Sequence, residues 1–302
     1  MNYPFAHPAR TKLFEDISDV FIKRKIFQRK DRNIIFVCGG RVKPYSRSLR
    51  YKFIKYAKKN LRQLRIFRAE AATEDLSKDD TPEFQNIADF ESFIANFTDC
   101  VLIFPESEGS ISELSYFSGK DTIVKKVLVA NDLKEQSDSF INLGPIDKVN
   151  KSSYFRPHIN IDPINPDFDI IKKRLKNRLP LKRGKILQLD DFSKLEHKQR
   201  LFVIFQIIYI FKVLTLDGIL FSIKKIFNSN IERREVKHIL SFLIAVKYLT
   251  RLKEDDSYFT YNQNIEPFLE FRDYDIYELQ AKIFYYYSKH NEKIMNLIRK
   301  IG

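Results

Sequence analysis

Tryptophan is absent from the 302-residue sequence, cysteine occurs twice and histidine five times. The missing tryptophan excludes no function. Two cysteines, Cys38 and Cys100, exclude a disulfide framework. Both sit in apolar runs and read as reduced core thiols of a cytoplasmic protein. So few Cys and scattered His leave no zinc-ligand spacing, and no metal is expected. No apolar run is long enough for a membrane span. The most apolar window, "LFVIFQIIYIF" at 201–211, is followed by Lys212 and Asp217. It falls far short of the ~20 residues a bilayer requires and reads as a buried helix. The N-terminus "MNYPFAHPARTKLFEDI" lacks the apolar core of a secretion signal. No internal repeat is visible, which excludes a solenoid.

Positive charge is plentiful. Lys and Arg number 53 against 39 Asp and Glu, a net +14. Such an excess points to an anionic ligand or a polyanionic partner, with nucleic acid first. Hydrophobic content of 44% is near the globular norm, and 302 residues suffice for two domains.

From residue 33 onward, predicted strands alternate with predicted helices. "NIIFVCGG" (33–40) is a buried strand ending in a Gly-Gly turn, and "SRSLRYKFIKYAKKNL" (46–61) a helix that Ser46 could cap. "LRIFRAE" (64–70) is a second strand, and Thr81-Pro82 starts the helix "TPEFQNIADFESFIANF" (81–97). "CVLIF" (100–104), "SISELSYFSG" (110–119) and "KKVLVAN" (125–131) add a strand, a helix and a strand. This order predicts an α/β domain with a Rossmann-like parallel sheet over 33–180, preceded by a helical extension over 1–32. The Pro-, Asn- and Asp-rich stretch 140–170 reads as irregular, and the basic helix of 170–185 as a linker.

Beyond 186 the pattern is mainly helical. One long helix is expected over 192–214, a second over 215–227 after Thr215, and a third over 231–249. Two short strands then flank the acidic turn in "TRLKEDDSYFTYN" (250–262), and an amphipathic helix closes the chain over 274–302. Three helices and a hairpin are the order of a winged helix-turn-helix, predicted here over 186–302. Arg233, Arg234, Lys237 and His238 lie near the start of its third helix, as candidate nucleic-acid or partner contacts. The acidic turn "KEDDS" would repel a phosphate backbone, which favours protein contact or approach through Arg233 and Arg234.

The chemistry centres on "FPESEGSISELSYF" (104–117), where Glu106, Glu108 and Glu113 surround a Gly-Ser turn at the end of a strand. Helix N-termini after glycine turns hold phosphate or ribose-phosphate oxygens, and Gly39, Gly40, Gly109 and Ser110 are placed to do so. Ser46 and Arg50 are further candidate phosphate contacts, with a helix cap and a solvated arginine as the structural alternatives. Carboxylates beside such a site suit attack on a sugar or stabilisation of its oxocarbenium charge. Ser110 and Glu113 share one helix face, while Glu108 is expected to face solvent. Ser110-x-x-Glu113 also has the form of a capping box.

"VCGG" followed by "FPESEGSISELSYF" resembles the nucleoside 2-deoxyribosyltransferase-like family over roughly 33–131. That resemblance implies that Glu113, the glutamate before leucine, is the catalytic carboxylate. The chain departs from the family in Ser115, where glycine commonly follows Glu-Leu, and in the additional Glu106; both argue against transfer to a free base. Joined to a winged-helix domain, the whole is similar to effector proteins of bacterial retrons. This implies an anti-phage toxin held in complex with a reverse transcriptase and its multicopy single-stranded DNA, a DNA–RNA hybrid, in a higher-order assembly. It further implies an N-glycosidase with NAD or a related nucleotide as substrate and no separate cofactor. Glu113 and Glu106 are then the catalytic pair, with roles that could be exchanged. The rival expectation is a DNA-binding regulator that senses a nucleotide without turnover.

Overall fold

The computed structural model describes residues 10–29, 33–41, 47–68, 87–134, 138–179 and 186–301. The chain divides into two compact units, one of residues 31–181 and one of residues 1–30 with 182–302. The N-terminal stretch expected as a separate extension therefore groups with the C-terminal unit.

That unit opens with α1 (Arg10–Lys23) and β1 (Ile26–Gln28). The other unit follows with β2 (Asn33–Cys38), α2 (Leu49–Asn60), β3 (Leu64–Phe67), α3 (Ile87–Phe97) and β4 (Cys100–Ile103). It continues with α4 (Glu108–Ser118), α5 (Asp121–Val124), β5 (Val127–Asp132), a π-helical turn (Asn142–Ile146), α6 (Asp147–Ser152), β6 (Ile159–Ile161) and α7 (Asp169–Arg178). The expected helix start at Thr81-Pro82 lies outside the described residues, as does Ser46.

The five strands form one sheet in the order β3-β2-β4-β5-β6, all parallel. β4 is buried at every position and β2 at all but its first, because helices cover both faces. This is why both strands read as unbroken apolar runs. One face packs Phe53 and Ala57 of α2 and Ile171 and Leu175 of α7 against Val37, Leu102 and Ala130. Stretch 140–170 is more ordered than its composition suggests. Its strand β6 is a three-residue edge with alternating burial, too short to leave a sequence signal.

The second unit resumes with β7 (Ile186–Leu187), a 3₁₀ turn (Phe192–Lys194), α8 (His197–Phe211), β8 (Val213–Thr215), α9 (Leu216–Phe227) and α10 (Arg233–Ala245). β9 (Leu249–Arg251), β10 (Tyr258–Tyr261), β11 (Leu269–Phe271), α11 (Ile276–His290) and α12 (Glu292–Ile301) complete it. β1 lies between β11 and β7 in one antiparallel sheet. α1 packs on α9, where Phe14 meets Phe221 and Phe21 meets Phe227 at ring separations of 5.4 and 5.5 Å.

The expected helix over 192–214 is shorter than its apolar pattern. Glu196 caps α8 through a reciprocal bond with Gln199, and Lys212 takes a left-handed φ of 64°. Val213–Thr215 then pairs with β10. Strand pairing ends the helix where local propensity alone would continue it. The expected closing helix likewise divides at Asn291, the C-cap of α11. The two strands expected around the acidic turn are β9 and β10, paired antiparallel. Among the described residues no helix is long and apolar enough to cross a membrane.

His238 of α10 is buried at 6% exposure. Burial first, and then the charges of Arg234 and Lys237, push its pKa from 6.5 down to about 4. Below pH 6.5 the unfolded chain takes up a proton that folded His238 does not. The folded state therefore loses stability as pH falls from 6.5 to 4, by at most about 3 kcal/mol. Denaturant unfolding at pH 7 and pH 4.5 should show this loss in the native protein and a smaller one in His238→Gln. Equal losses in both would remove His238 as the cause.

Candidate active site

In the parallel order β3-β2-β4-β5-β6, the chain leaves β2 towards one edge and continues from β4 towards the other. Ligands of such sheets bind at the carboxyl ends of the strands flanking that reversal. Cys38 and Ile103, the last residues of β2 and β4, are register partners. Gly39-Gly40 and the Phe104–Ser110 turn extend directly from them.

The turn after β4 sends Glu106 across to the end of β2. Its Oε1 accepts hydrogen bonds from the amides of Gly40 (2.9 Å) and Arg50 (3.0 Å), and its Oε2 from the amide of Leu49 (2.6 Å). Leu49 and Arg50 are the first residues of α2, so the protein's own carboxylate occupies the anion-binding end of this helix. The N-cap is Ser48, whose hydroxyl accepts from Tyr51 N at 3.1 Å.

Gly39 and Gly40 are glycines because the start of α2 and Glu106 both lie so near. A Cβ on Gly39 would stand 2.8 Å from Cβ of Arg50 and 3.0 Å from Oε1 of Glu106; one on Gly40 would stand 3.0 Å from Cβ of Ser48. Arg50 is buried at 4% exposure, and its guanidinium donates to Gly39 O at 3.3 Å. It holds the glycine turn, where the sequence suggested a contact to phosphate.

The helix after β4 starts earlier than expected. Ser107 is the N-cap and α4 begins at Glu108, so the capping box is Ser107–Ser110. Glu113, one turn further on, takes no part in capping, and the Ser110–Glu113 box is corrected accordingly. The Ser110 hydroxyl accepts from the amides of Glu106 (3.1 Å) and Ser107 (3.0 Å) and donates to Ser107 O (2.9 Å). Buried at 1% exposure, it braces the backbone that carries Glu106. Gly109 sits in the first turn of α4, and a Cβ there would meet nothing within 4 Å.

These contrasts predict opposite outcomes at two glycines. Gly109→Ala should be neutral or stabilising by up to about 1 kcal/mol, since alanine is the better helix former. Gly40→Ala should destabilise by about 1–3 kcal/mol through overpacking. Thermal melts of the two variants check both signs.

Glu113 is half-buried on α4 and hydrogen-bonds the thiol of Cys38. Burial first, and then the charge of Glu113, push the pKa of this thiol well above its usual value, so it stays protonated as a donor. Both glutamates therefore reach the carboxyl end of β2, Glu106 from the turn that follows β4 and Glu113 from the second turn of α4. Sequence alone assigns Cys38 to the core and nothing more. Its place as the last residue before the glycine turn is the signal that could have found it. Cys100 is likewise buried and unbridged. Among the described residues no group of three His, Cys, Asp or Glu is placed to hold a metal ion.

In the other unit, Arg233 of α10 is ion-paired with Asp217 of α9, which offsets its charge. Arg234 is exposed and Lys237 half-buried on the same helix. The acidic turn between β9 and β10 is pinned to α12, where Lys293 meets Asp255 at 3.1 Å.

The family model described as STM3845 retron effector protein matches residues 46–251. The "Retron Ec73 putative ribosyltransferase/DNA-binding protein" of Escherichia coli is 27% identical over 242 residues, 72% of this chain and 75% of that protein. The correspondingly named protein of retron Ec86, also from Escherichia coli, is 30% identical over 167 residues, 53% of each chain.

Proposed function

Because the chain belongs to the STM3845 retron effector protein family, we propose that its 31–181 unit is an N-glycosidase acting on a nucleotide, with NAD as the first candidate. On this reading the chain is the toxin of a retron defence system. It is held inactive in complex with the reverse transcriptase and its multicopy single-stranded DNA. The observation that carries the reading is the division of labour between the two glutamates. The 31–181 unit is then a Rossmann-like, deoxyribosyltransferase-like domain. Helices α8, α9 and α10 with the β8-β10-β9 sheet are then a winged helix. The ribosyltransferase and DNA-binding names of the relatives agree with both.

Glu106 already accepts three backbone amides, two on Oε1 and one on Oε2. A carboxylate has about four acceptor sites, so roughly one remains on Oε2. That suits a residue that fixes the glycine turn and orients one ribose hydroxyl; it does not suit a nucleophile. Glu113, one turn beyond the cap and bonded to the Cys38 thiol, is the carboxylate that meets the anomeric carbon. As the bond from this carbon to the base nitrogen breaks, its electron pair leaves with the base. Glu113 stabilises the resulting oxocarbenium charge or bonds to the carbon. Water then adds to the carbon and gives up a proton, leaving ribose-phosphate product and free base.

The test is direct. The purified chain, alone and with its reverse transcriptase and DNA–RNA partner, is incubated with NAD and a nucleotide panel, and base release is followed by chromatography. Release under any of these conditions supports the glycosidase. Nucleotide binding without release under all of them leaves the nucleotide-sensing regulator.

A further inference from the structure

The excess positive charge is concentrated on one side of the α/β unit. Leu49–Asn60 of α2 carries five cations and no acid, and Asp169–Arg178 of α7 carries five cations and one acid. These two helices hold a net nine charges of the chain's +14. By contrast α1 carries three cations and three acids.

The two helices form one layer. Phe53 and Ala57 of the first, Ile171 and Leu175 of the second, and their C-caps Leu61 and Leu179 enter the same core cluster, on the same face of the sheet. Tyr56 donates to Asp169 at 2.6 Å, and Phe168, at the start of α7, lies 5.5 Å from Phe53 between ring centres. With the apolar stripes turned inward, Lys55, Lys58, Lys59, Arg62, Lys173 and Lys176 are all exposed. Among the described residues none of these six has an ion-pair partner.

Folding alone does not account for this. Cations in the last turn of a helix suit its dipole, which covers Lys58, Lys59, Lys176 and Arg178. It does not cover Lys55 or Lys173 further upstream, whereas Lys52 donates to Pro163 O at 2.7 Å and Lys172 pairs with Asp169 at 3.5 Å. Lys55–Lys59 and Lys172–Lys176 are like-charge pairs four apart, each of which costs a helix about 0.2–0.5 kcal/mol. No exposed aromatic ring accompanies them on either helix. With Tyr51 half-buried under Lys55 and Tyr56 bonded to Asp169, such a surface suits phosphates better than unpaired bases, which need open rings to stack on.

We infer that the outer face of the α2–α7 layer binds the phosphate backbone of double-stranded nucleic acid without reading its sequence. It does so independently of whether the unit cleaves nucleotides. The candidate active site lies at the N-terminal end of α2, whereas Lys55 to Arg62 lie in and beyond its second half, so the two are separable.

The experiment uses the full chain with Lys55, Lys58, Lys59, Lys173 and Lys176 all changed to Gln. Binding of a labelled 20-base-pair duplex is followed by anisotropy from 50 to 200 mM salt, beside native protein and an Arg234→Gln/Lys237→Gln variant. Each lost phosphate contact should reduce the salt slope by about 0.9. The five-fold variant is expected to bind at least about 10-fold more weakly at 100 mM salt, with a slope smaller by about 3–5. Melting temperature and any base release measured without nucleic acid should match the native protein. Native affinity and slope in the five-fold variant would overturn the inference. So would a loss confined to the Arg234/Lys237 variant.

Discussion

Glu113→Gln is expected to reduce base release by about 10²–10⁴-fold while leaving the fold intact. The substitution keeps the shape of the side chain and an oxygen that can accept from the Cys38 thiol, and it removes only the charge. Glu113 lies in the second turn of α4, while Ser107 and Ser110 supply the cap, so helix stability does not depend on it. With the cap untouched and the Cys38 bond kept by the amide oxygen, the melting temperature should stay within a few degrees of the native value. Glu113→Asp keeps the charge but withdraws it by one methylene, and should fall between the two. Turnover by the Gln variant within two-fold of native would eliminate Glu113 as the carboxylate facing the anomeric carbon. The relevant comparison is kcat, since the charge acts on a cation that exists only near the transition state.

The second large effect is on stability. Glu106→Ala removes the acceptor of three amides, those of Gly40, Leu49 and Arg50. Hydrogen bonds to a charged group contribute about 1.5–3 kcal/mol each. Water can reach part of this exposed turn, which lowers the sum to about 2–4 kcal/mol. For a unit of this size that corresponds to a melting point roughly 5–15 °C lower. Glu106→Gln keeps one acceptor oxygen but turns an NH₂ towards an amide donor, so an intermediate loss is expected. Hydrogen exchange at the Leu49 and Arg50 amides should speed up in both variants. An alanine variant that melts with the native protein would show that these three bonds do not hold the α2 start. Together the two glutamates separate cleanly: loss at Glu113 appears in rate alone, loss at Glu106 in stability first and in rate as a consequence.

Several site features are legible in the sequence because they are local. Apolar runs bounded by turns mark β2 and β4, and the glycine pair marks the end of the first. Thr215 is the N-cap of α9 as its position suggests, accepting from Gly218 N at 3.1 Å. Where local signals compete, sequence alone selects wrongly. Ser48 caps α2 where Ser46 is expected, and Ser107 caps α4 where Ser110 is expected. Several serines stand near each helix start, and only the hydrogen-bond geometry selects among them. The helix ending at Phe211 reads too long, since its pattern continues unbroken into residues that pair with β10.

By itself the sequence determined the alternation of strands and helices, the basic excess, and the presence of acids at a strand end. Only the tertiary structure decided what those acids do. Glu106 meets the α2 amides across 56 and 57 residues of chain. Cys38 meets Glu113, and α1 joins the 182–302 unit, over similar or greater separations. Such contacts follow from strand register and sheet order, which bring the ends of β2 and β4 side by side. Nothing in a stretch of sequence near either partner specifies which distant amide a carboxylate will find.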